Sequence, residues 1–143
     1  MTLPKAAIVT LNWNGESHLK YFLPTAISQS YKNYFTIVVD NGSSDNSLSY
    51  IKDNYSDIGV VELGRNKGYA KGMNSGISYA INNGAEFILI TNNDVKLDSK
   101  ILEEGVKLAA KDKKIGYISG KIYNLNDPDI FQYAGGRITK GIK

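Results

Sequence analysis

Short apolar runs alternate with helix-spaced apolar stripes along most of this sequence. Ala6-Ala7-Ile8-Val9-Thr10-Leu11 and residues 35–39, 58–63 and 86–91 are too short for helices and read as strands buried on both faces. Between them run Leu19, Phe22, Leu23, Ala26 and Ile27, then Leu48, Ile51 and Tyr55, then Ala70, Met73, Ile77, Ala80 and Ile81, each set on one helical face. A last stripe, Ile101, Leu102, Val106 and Ala109, follows the fourth run, and residues 115–122 read as a fifth strand. Repetition of this kind with short connections predicts βαβ units, a mostly parallel sheet and right-handed crossovers. Ser17, Asp45 or Ser47, and Ser99 are the expected helix starts, and Asn83-Gly84 the stop of the third helix. Pro24 is expected to kink or break the first helix. The pattern fades after Tyr123, where residues 124–129 read as a turn and residues 131–138, around Gly135-Gly136, as a hairpin.

Two of the runs end in carboxylates and amides. Val38-Val39 passes into Asp40-Asn41-Gly42-Ser43-Ser44-Asp45, and Leu89-Ile90-Thr91 into Asn92-Asn93-Asp94. A buried strand that ends so carries charge to the carboxyl edge of the sheet, where open α/β sheets bind ligands. Asp40 reads as a ligand carboxylate for a base or ribose, since capping needs no second acid five residues before Asp45. Asp45 reads as an N-cap. One carboxylate and two amides at residues 92–94 make an incomplete oxygen site that Mg²⁺ or Mn²⁺ would complete with diphosphate oxygens and water. The plainer alternative there is an Asn-rich turn with Asp94 as a local cap, and Asp98 reads as the cap of the following helix.

Gly68, Gly72 and Gly76 recur every four residues and share a helical face. Each costs roughly 1 kcal/mol relative to alanine. Close approach of backbone to a ligand, or to the sheet, would compensate, and the spacing leaves both open. Arg65 and Lys67 stand before that helix, whose first N–H groups favour anions. No Gly-Lys-Ser/Thr follows, so this is not a P-loop, and no G-x-G-x-x-G follows the first strand.

Composition removes several functions. At 143 residues, 42% apolar and 22% charged, the chain reads as one domain over residues 5–143. It has no cysteine, hence no disulfide framework, thiolate zinc site or thiol nucleophile. His18 is its only histidine, expected at the surface, so there is no pair for a triad or a zinc site. Trp13 could cover a ligand or pack. A net charge of +3 from dispersed basic residues argues against nucleic acid. No apolar run approaches the roughly 18 residues that span a bilayer, and no signal peptide is read at the N-terminus.

Four segments in order resemble the family 2 glycosyltransferases of the GT-A fold, especially their bacterial and archaeal rhamnosyltransferase-like branch. They are residues 8–15 (Ile-Val-Thr-Leu-Asn-Trp-Asn-Gly), 38–45 (Val-Val-Asp-Asn-Gly-Ser-Ser-Asp), 66–76 (Asn-Lys-Gly-Tyr-Ala-Lys-Gly-Met-Asn-Ser-Gly) and 91–94 (Thr-Asn-Asn-Asp). The resemblance covers about residues 5–140. It implies an α/β, Rossmann-like nucleotide-diphospho-sugar domain with a mostly parallel sheet flanked by helices, C-terminally truncated. It implies that Asp40 contacts the base, that Thr10, Asn12 and Asn14 wall the nucleotide pocket, and that Arg65, Asn66 and Gly68 lie near base and diphosphate. Asp94 resembles the last acid of the family's D-x-D metal motif, with Asn92 in place of the first, and Mg²⁺ or Mn²⁺ is the implied cofactor.

The implied activity is inverting transfer of a sugar from a UDP- or dTDP-linked donor to a glycan or lipid-linked acceptor in cell-surface polysaccharide synthesis. The implied general base belongs to a later acidic motif, because the only acids after residue 112, Asp127 and Asp129, sit in a turn context. On that view this chain is the donor-binding part of a longer enzyme, cytoplasmic, at the inner face of the membrane as a peripheral partner, and able to form a homodimer through open strand edges. The alternatives are a sugar nucleotidyltransferase, which lacks its usual Gly-, Lys- and Arg-bearing loop here, and a non-catalytic α/β interaction module, which leaves the glycine-spaced helix unexplained.

Overall fold

The computed structural model describes residues 3–135. The alternation expected from sequence forms as β1 Ala6–Asn12, α1 Glu16–Ala26, β2 Tyr34–Asp40, α2 Ser47–Asn54, β3 Gly59–Glu62, α3 Tyr69–Asn82, β4 Phe87–Asn92 and α4 Ile101–Lys111. The four strands make one wholly parallel sheet in the order β3-β2-β1-β4. β1 and β2 are central and apolar on both faces, which is why their sequences run without alternation.

Ala6 and Ile8 of β1 face a core built with Leu19, Phe22 and Leu23 of α1, Ile51 of α2, and Leu102 and Val106 of α4. Ala7 and Val9 face Met73 and Ala80 of α3 on the other side. Three helices therefore lie on one face and α3 alone on the opposite face. The chain winds outward from β1 to β3, crosses back under the sheet through α3, and resumes at β4. The winding direction reverses between β1 and β4, and in open α/β sheets that reversal leaves a crevice at the carboxyl edge.

The glycine spacing of α3 resolves in favour of packing at two positions. A Cβ on Gly72 would lie 2.6 Å from Leu11 Cδ1, and one on Gly76 would lie 2.5 Å from Val39 Cγ2 and 2.6 Å from Val9 Cγ1. The helix backbone thus rests directly on the sheet. Ile81, assigned to the same stripe, is instead 58% exposed, because Ala80 takes the inward position.

Several sequence expectations need correction. Ser17 is inside α1, whose N-cap position is Gly15. Pro24 stays within α1 without breaking it, and the helix ends two residues later at Ala26. Asn46 holds the N-cap position of α2, and Lys100, not Ser99, that of α4. The fifth strand over residues 115–122 does not form. Only Ile122–Tyr123 (β5) is extended, and it pairs antiparallel with Phe131–Tyr133 (β6) in a separate two-stranded sheet. Gly116 and Gly120 interrupt that run and Tyr117 is 82% exposed, so it gains neither burial nor a strand partner. Phe131–Tyr133, within the hairpin expected over residues 131–138, pair with β5, and residues 136–138 lie outside the described ones. Among the described residues, no helix is long and apolar enough to cross a membrane.

Candidate functional site

Four loops meet at the carboxyl edge, and side-chain amides lace them together. Asp40 ends β2 and is 2% exposed. Its Oδ2 accepts the N–H groups of Gly42 (3.1 Å) and Ser43 (3.0 Å), closing a tight turn. Its Oδ1 accepts from Asn12 Nδ2 at 3.4 Å. Gly42 is obligatory in this turn: its φ is +78°, and a Cβ there would lie 2.5 Å from the Arg65 Cα.

Asn12, at the end of β1, is fully buried. Its Nδ2 also donates to Ser43 Oγ (3.1 Å), and its Oδ1 accepts from Asn93 Nδ2 (2.8 Å). Thr10 is fully buried too, and its hydroxyl has no hydrogen-bond partner. Thr10 and Asn12 therefore lie beneath the edge and do not wall a pocket with their side chains, as the sequence had suggested. Asn14 is exposed and left-handed, with φ +51°. Its N–H donates to Ser43 Oγ (3.0 Å) and its Oδ1 accepts the Ser44 N–H (2.7 Å), tying the first loop to the second.

The second loop is joined to the third by a pair of asparagines. Asn41 Nδ2 donates to Asn66 Oδ1 (3.1 Å), Asn41 Oδ1 accepts the Lys67 N–H (2.8 Å), and Asn66 Oδ1 also accepts the Gly68 N–H (2.8 Å). Gly68 caps α3 with φ +79°. Arg65 and Lys67 are exposed just before that helix start, where the helix dipole adds to their positive charge.

At the end of β4, Asn92 and Asp94 are exposed and Asn93 is half-buried. Tyr69, the first residue of α3, donates its hydroxyl to Asn92 Oδ1 at 3.2 Å. Among the described residues the Asp94 carboxylate makes no hydrogen bond, so its oxygens face solvent, and no cluster of three or more His, Asp or Glu is gathered as a metal cage. One free carboxylate with an amide oxygen beside it still fits Mg²⁺ or Mn²⁺, because Mg²⁺ is usually held by one or two carboxylates plus substrate phosphates and water.

Asp45 precedes the N-cap position of α2 and ties the starts of two helices together. Its Oδ2 accepts the Glu16 N–H at the start of α1 (3.0 Å), and its Oδ1 accepts both the N–H (3.0 Å) and the hydroxyl of Ser47 at the start of α2. Burial pushes its carboxyl up, but the bonds from Ser47 and Glu16 outweigh this and hold it below the ordinary value. Asp98, expected to cap α4, lies two residues before its N-cap Lys100 and instead closes a turn, its Oδ1 accepting the Lys100 N–H (2.8 Å). The Asp127 carboxylate accepts the Asp129 N–H (3.3 Å) within a turn.

Sequence reasoning passed over Asn41, Ser43 and Tyr69, and it read Asn93 as part of an oxygen site, whereas its amide nitrogen donates to Asn12. The signal was present: an asparagine follows each of the four parallel strands within a few residues. Arg65, Gly68, Asn92 and Asp94 are at the open edge, and Asn66 and Asp40 hold the loops that present them.

Residues 7–137 match the model of the family described as glycosyl transferase family 2. The chain is 32% identical over 102 residues to the dTDP-rhamnosyl transferase RfbF of Shigella flexneri, covering 69% of this chain and 32% of that protein. The chain thus spans about a third of that relative's length. Its fold is similar to that of the mannosyltransferase PcManGT from Pyrobaculum calidifontis, solved with GDP-Man and Mn²⁺ (TM-score 0.72, 21% identity, 86% of this chain and 36% of that one). It is also similar to S. aureus TarS 1–349 solved with UDP (TM-score 0.68, 18% identity, 86% of this chain and 43% of that one). Identities this low show the fold alone, and that fold is the Rossmann-like GT-A arrangement.

Proposed function

The chain belongs to glycosyl transferase family 2, and from that premise we propose that it is the donor-binding portion of an inverting sugar transferase. The observation that carries the reading is the meeting, at one switch-point edge, of the Asp40 turn, the basic approach to α3 and the exposed Asp94. The donor is a nucleotide-diphospho-sugar, with dTDP or UDP as its nucleotide. The rhamnosyl transferase relative favours dTDP. The acceptor is a glycan or lipid-linked hydroxyl of cell-surface polysaccharide synthesis, met by peripheral association at the inner membrane face.

In this reading Asp40, through the lone-pair capacity left on its long-bonded Oδ1, faces the base. Arg65 and the α3 N-terminus face the diphosphate. Asp94 and Asn92 hold Mg²⁺ or Mn²⁺, whose chemistry is to stabilise charge on the leaving phosphate. A bond forms from the acceptor oxygen to the anomeric carbon as the bond from that carbon to the phosphate oxygen breaks. The electron pair leaves with the nucleoside diphosphate, and Arg65 adds positive charge where it develops. The acceptor proton goes to a general base, and Asp127 accepts the Asp129 N–H within its turn.

Calorimetric titration of UDP, dTDP and GDP with and without Mn²⁺, on the wild-type chain and on Asp94→Ala, tests the proposal. Metal-enhanced binding of one diphosphate that Asp94→Ala abolishes is the expected result. A preference for triphosphates would point to a nucleotidyltransferase, and no binding in either condition would refute a donor site complete in this chain.

A further inference from the structure

We infer that Asn12 is a positioning residue: its buried side chain is a strut that couples the Asp40 turn on β2 to the turn at residues 92–94 on β4. The two turns flank β1 on opposite sides, Asp40 in register with Asn12 and Asn92 with Leu11. β1 and β4 are also the strands between which the winding reverses, so the bond from Asn93 to Asn12 lies across the crevice itself.

The orientation of the strut is fixed by chemistry. The Asp40 carboxylate can only accept, so the Asn12 amide must turn its NH₂ toward Asp40 Oδ1 and Ser43 Oγ. Its Oδ1 is then forced toward β4, where only a donor fits, and Asn93 supplies one at 2.8 Å. With 0% exposure and both ends of its amide bonded, the Asn12 side chain is not presented to a ligand. Space has been left for this bridge. A Cβ on Gly15 would lie 2.6 Å from Asn12 Oδ1 and 2.7 Å from Asn93 Nδ2, so the loop has a glycine where any side chain would collide with both bridging atoms.

The consequence deepens the proposed function and rests on it. A base-side turn and a metal-side turn that share one amide are held at a fixed separation, which is what a donor bridging base and cation requires. Losing the strut should uncouple nucleotide affinity from Mn²⁺ while the strands, buried independently, stay formed.

Two measurements test this. Backbone hydrogen exchange is followed in the wild-type chain, Asn12→Ala and Asn93→Ala. Asn12→Ala is expected to speed exchange about tenfold, the equivalent of one lost hydrogen bond, at Gly42 and Ser43 and also at residues 92–95. Asn93→Ala should release residues 92–95 and leave Gly42 and Ser43 as they were. Release confined to one turn in Asn12→Ala would overturn the inference. Should Asn12→Ala not fold, Asn93→Ala decides by itself: faster backbone exchange at residues 92–95 with Gly42 and Ser43 unchanged supports the strut, and unchanged exchange at residues 92–95 overturns it.

The second measurement is UDP and dTDP affinity with and without Mn²⁺. Asn93→Ala should lose the Mn²⁺ enhancement while its metal-free affinity stays within about twofold. Retained enhancement would overturn the coupling. If the wild-type chain binds no nucleotide, the proposed function fails, whereas the exchange data still decide the strut.

Discussion

Gly76→Ala and Gly105→Ala are the same chemical change in two helix interiors, and the structure predicts opposite signs for them. Both gain roughly 1 kcal/mol of helix propensity, and both restrict the unfolded chain equally. At Gly105 an added Cβ meets nothing within 4 Å, so the gain stands. At Gly76 the methyl would sit 2.5 Å from Val39 Cγ2 and 2.6 Å from Val9 Cγ1. Carbon contacts settle near 3.5–4.0 Å, so about 1 Å must be found. Both valines are fully buried on the central strands, and β-branched side chains have no alternative rotamer nearby to yield it. α3 must lift from the sheet instead, and overpacking of this kind costs about 1–3 kcal/mol beyond any propensity gain. The expected net effects are about 1–3 kcal/mol of destabilisation for Gly76→Ala and up to about 1 kcal/mol of stabilisation for Gly105→Ala. In a chain of this size that moves Tm by about 3–5 °C per kcal/mol, downward and upward respectively. Urea melts followed by circular dichroism, with unchanged m, measure both. A Gly76→Ala chain as stable as wild type would refute the claim that the helix backbone rests on Val9 and Val39.

Three further outcomes follow from the edge. Gly42→Ala is strained at φ +78° and collides with the Arg65 backbone, so we expect a loss of more than about 2 kcal/mol in urea, and a neutral result would contradict the turn geometry. Asp40→Ala leaves the N–H groups of Gly42 and Ser43 and the Asn12 amide without their acceptor, an expected cost of about 3 kcal/mol; stability like wild type would show that this carboxylate does not hold the turn. Asp45, held below its ordinary carboxyl value, contributes stability that is present above about pH 3.8 and lost as pH falls through the lower folded value. The stability gap between wild type and Asp45→Asn should therefore be constant near neutrality and close in acid, and a gap that widens on acidification would reverse the sign of the argument.

The sequence carried the sheet well because β1 and β2 are buried on both faces, and a continuous apolar run of only five to seven residues suits a doubly covered strand better than any helix. It carried less of α3, whose glycines are equally compatible with a ligand or with packing. Only the positions of Val9, Val39 and Leu11 decide between them. The strand expected at residues 115–122 failed for a related reason: propensity proposes an extended segment, but a strand exists only where a partner pairs with it. At the site, the residue types were legible and their partners were not. Nothing local says that Asn12 reaches both Asp40 and Asn93, residues 28 and 81 positions away.

Burial divides the edge into two populations that mutation should separate. Thr10, Asn12, Asp40 and Asn41 are at most 2% exposed. The polar groups of Asn12 and Asn41 and the Asp40 Oδ2 are engaged by neighbouring loop side chains and backbone, which leaves only part of the Asp40 Oδ1 lone-pair capacity. Substituting any of these three loosens the turns and lowers stability, so a binding loss there is not by itself a sign of ligand contact. Trp13, Arg65, Lys67, Tyr69, Asn92 and Asp94 are exposed at the same edge, and Asp94 makes no hydrogen bond among the described residues. Surface positions of this kind typically change stability by less than about 0.5 kcal/mol. A ligand at this edge is therefore gripped mainly by the exposed set and aligned by the buried one, with Asp40 Oδ1 the one buried group that has capacity left for it. The amide-rich loops serve alignment because asparagine both donates and accepts, so one side chain can join two loops whatever the polarity of the groups they present.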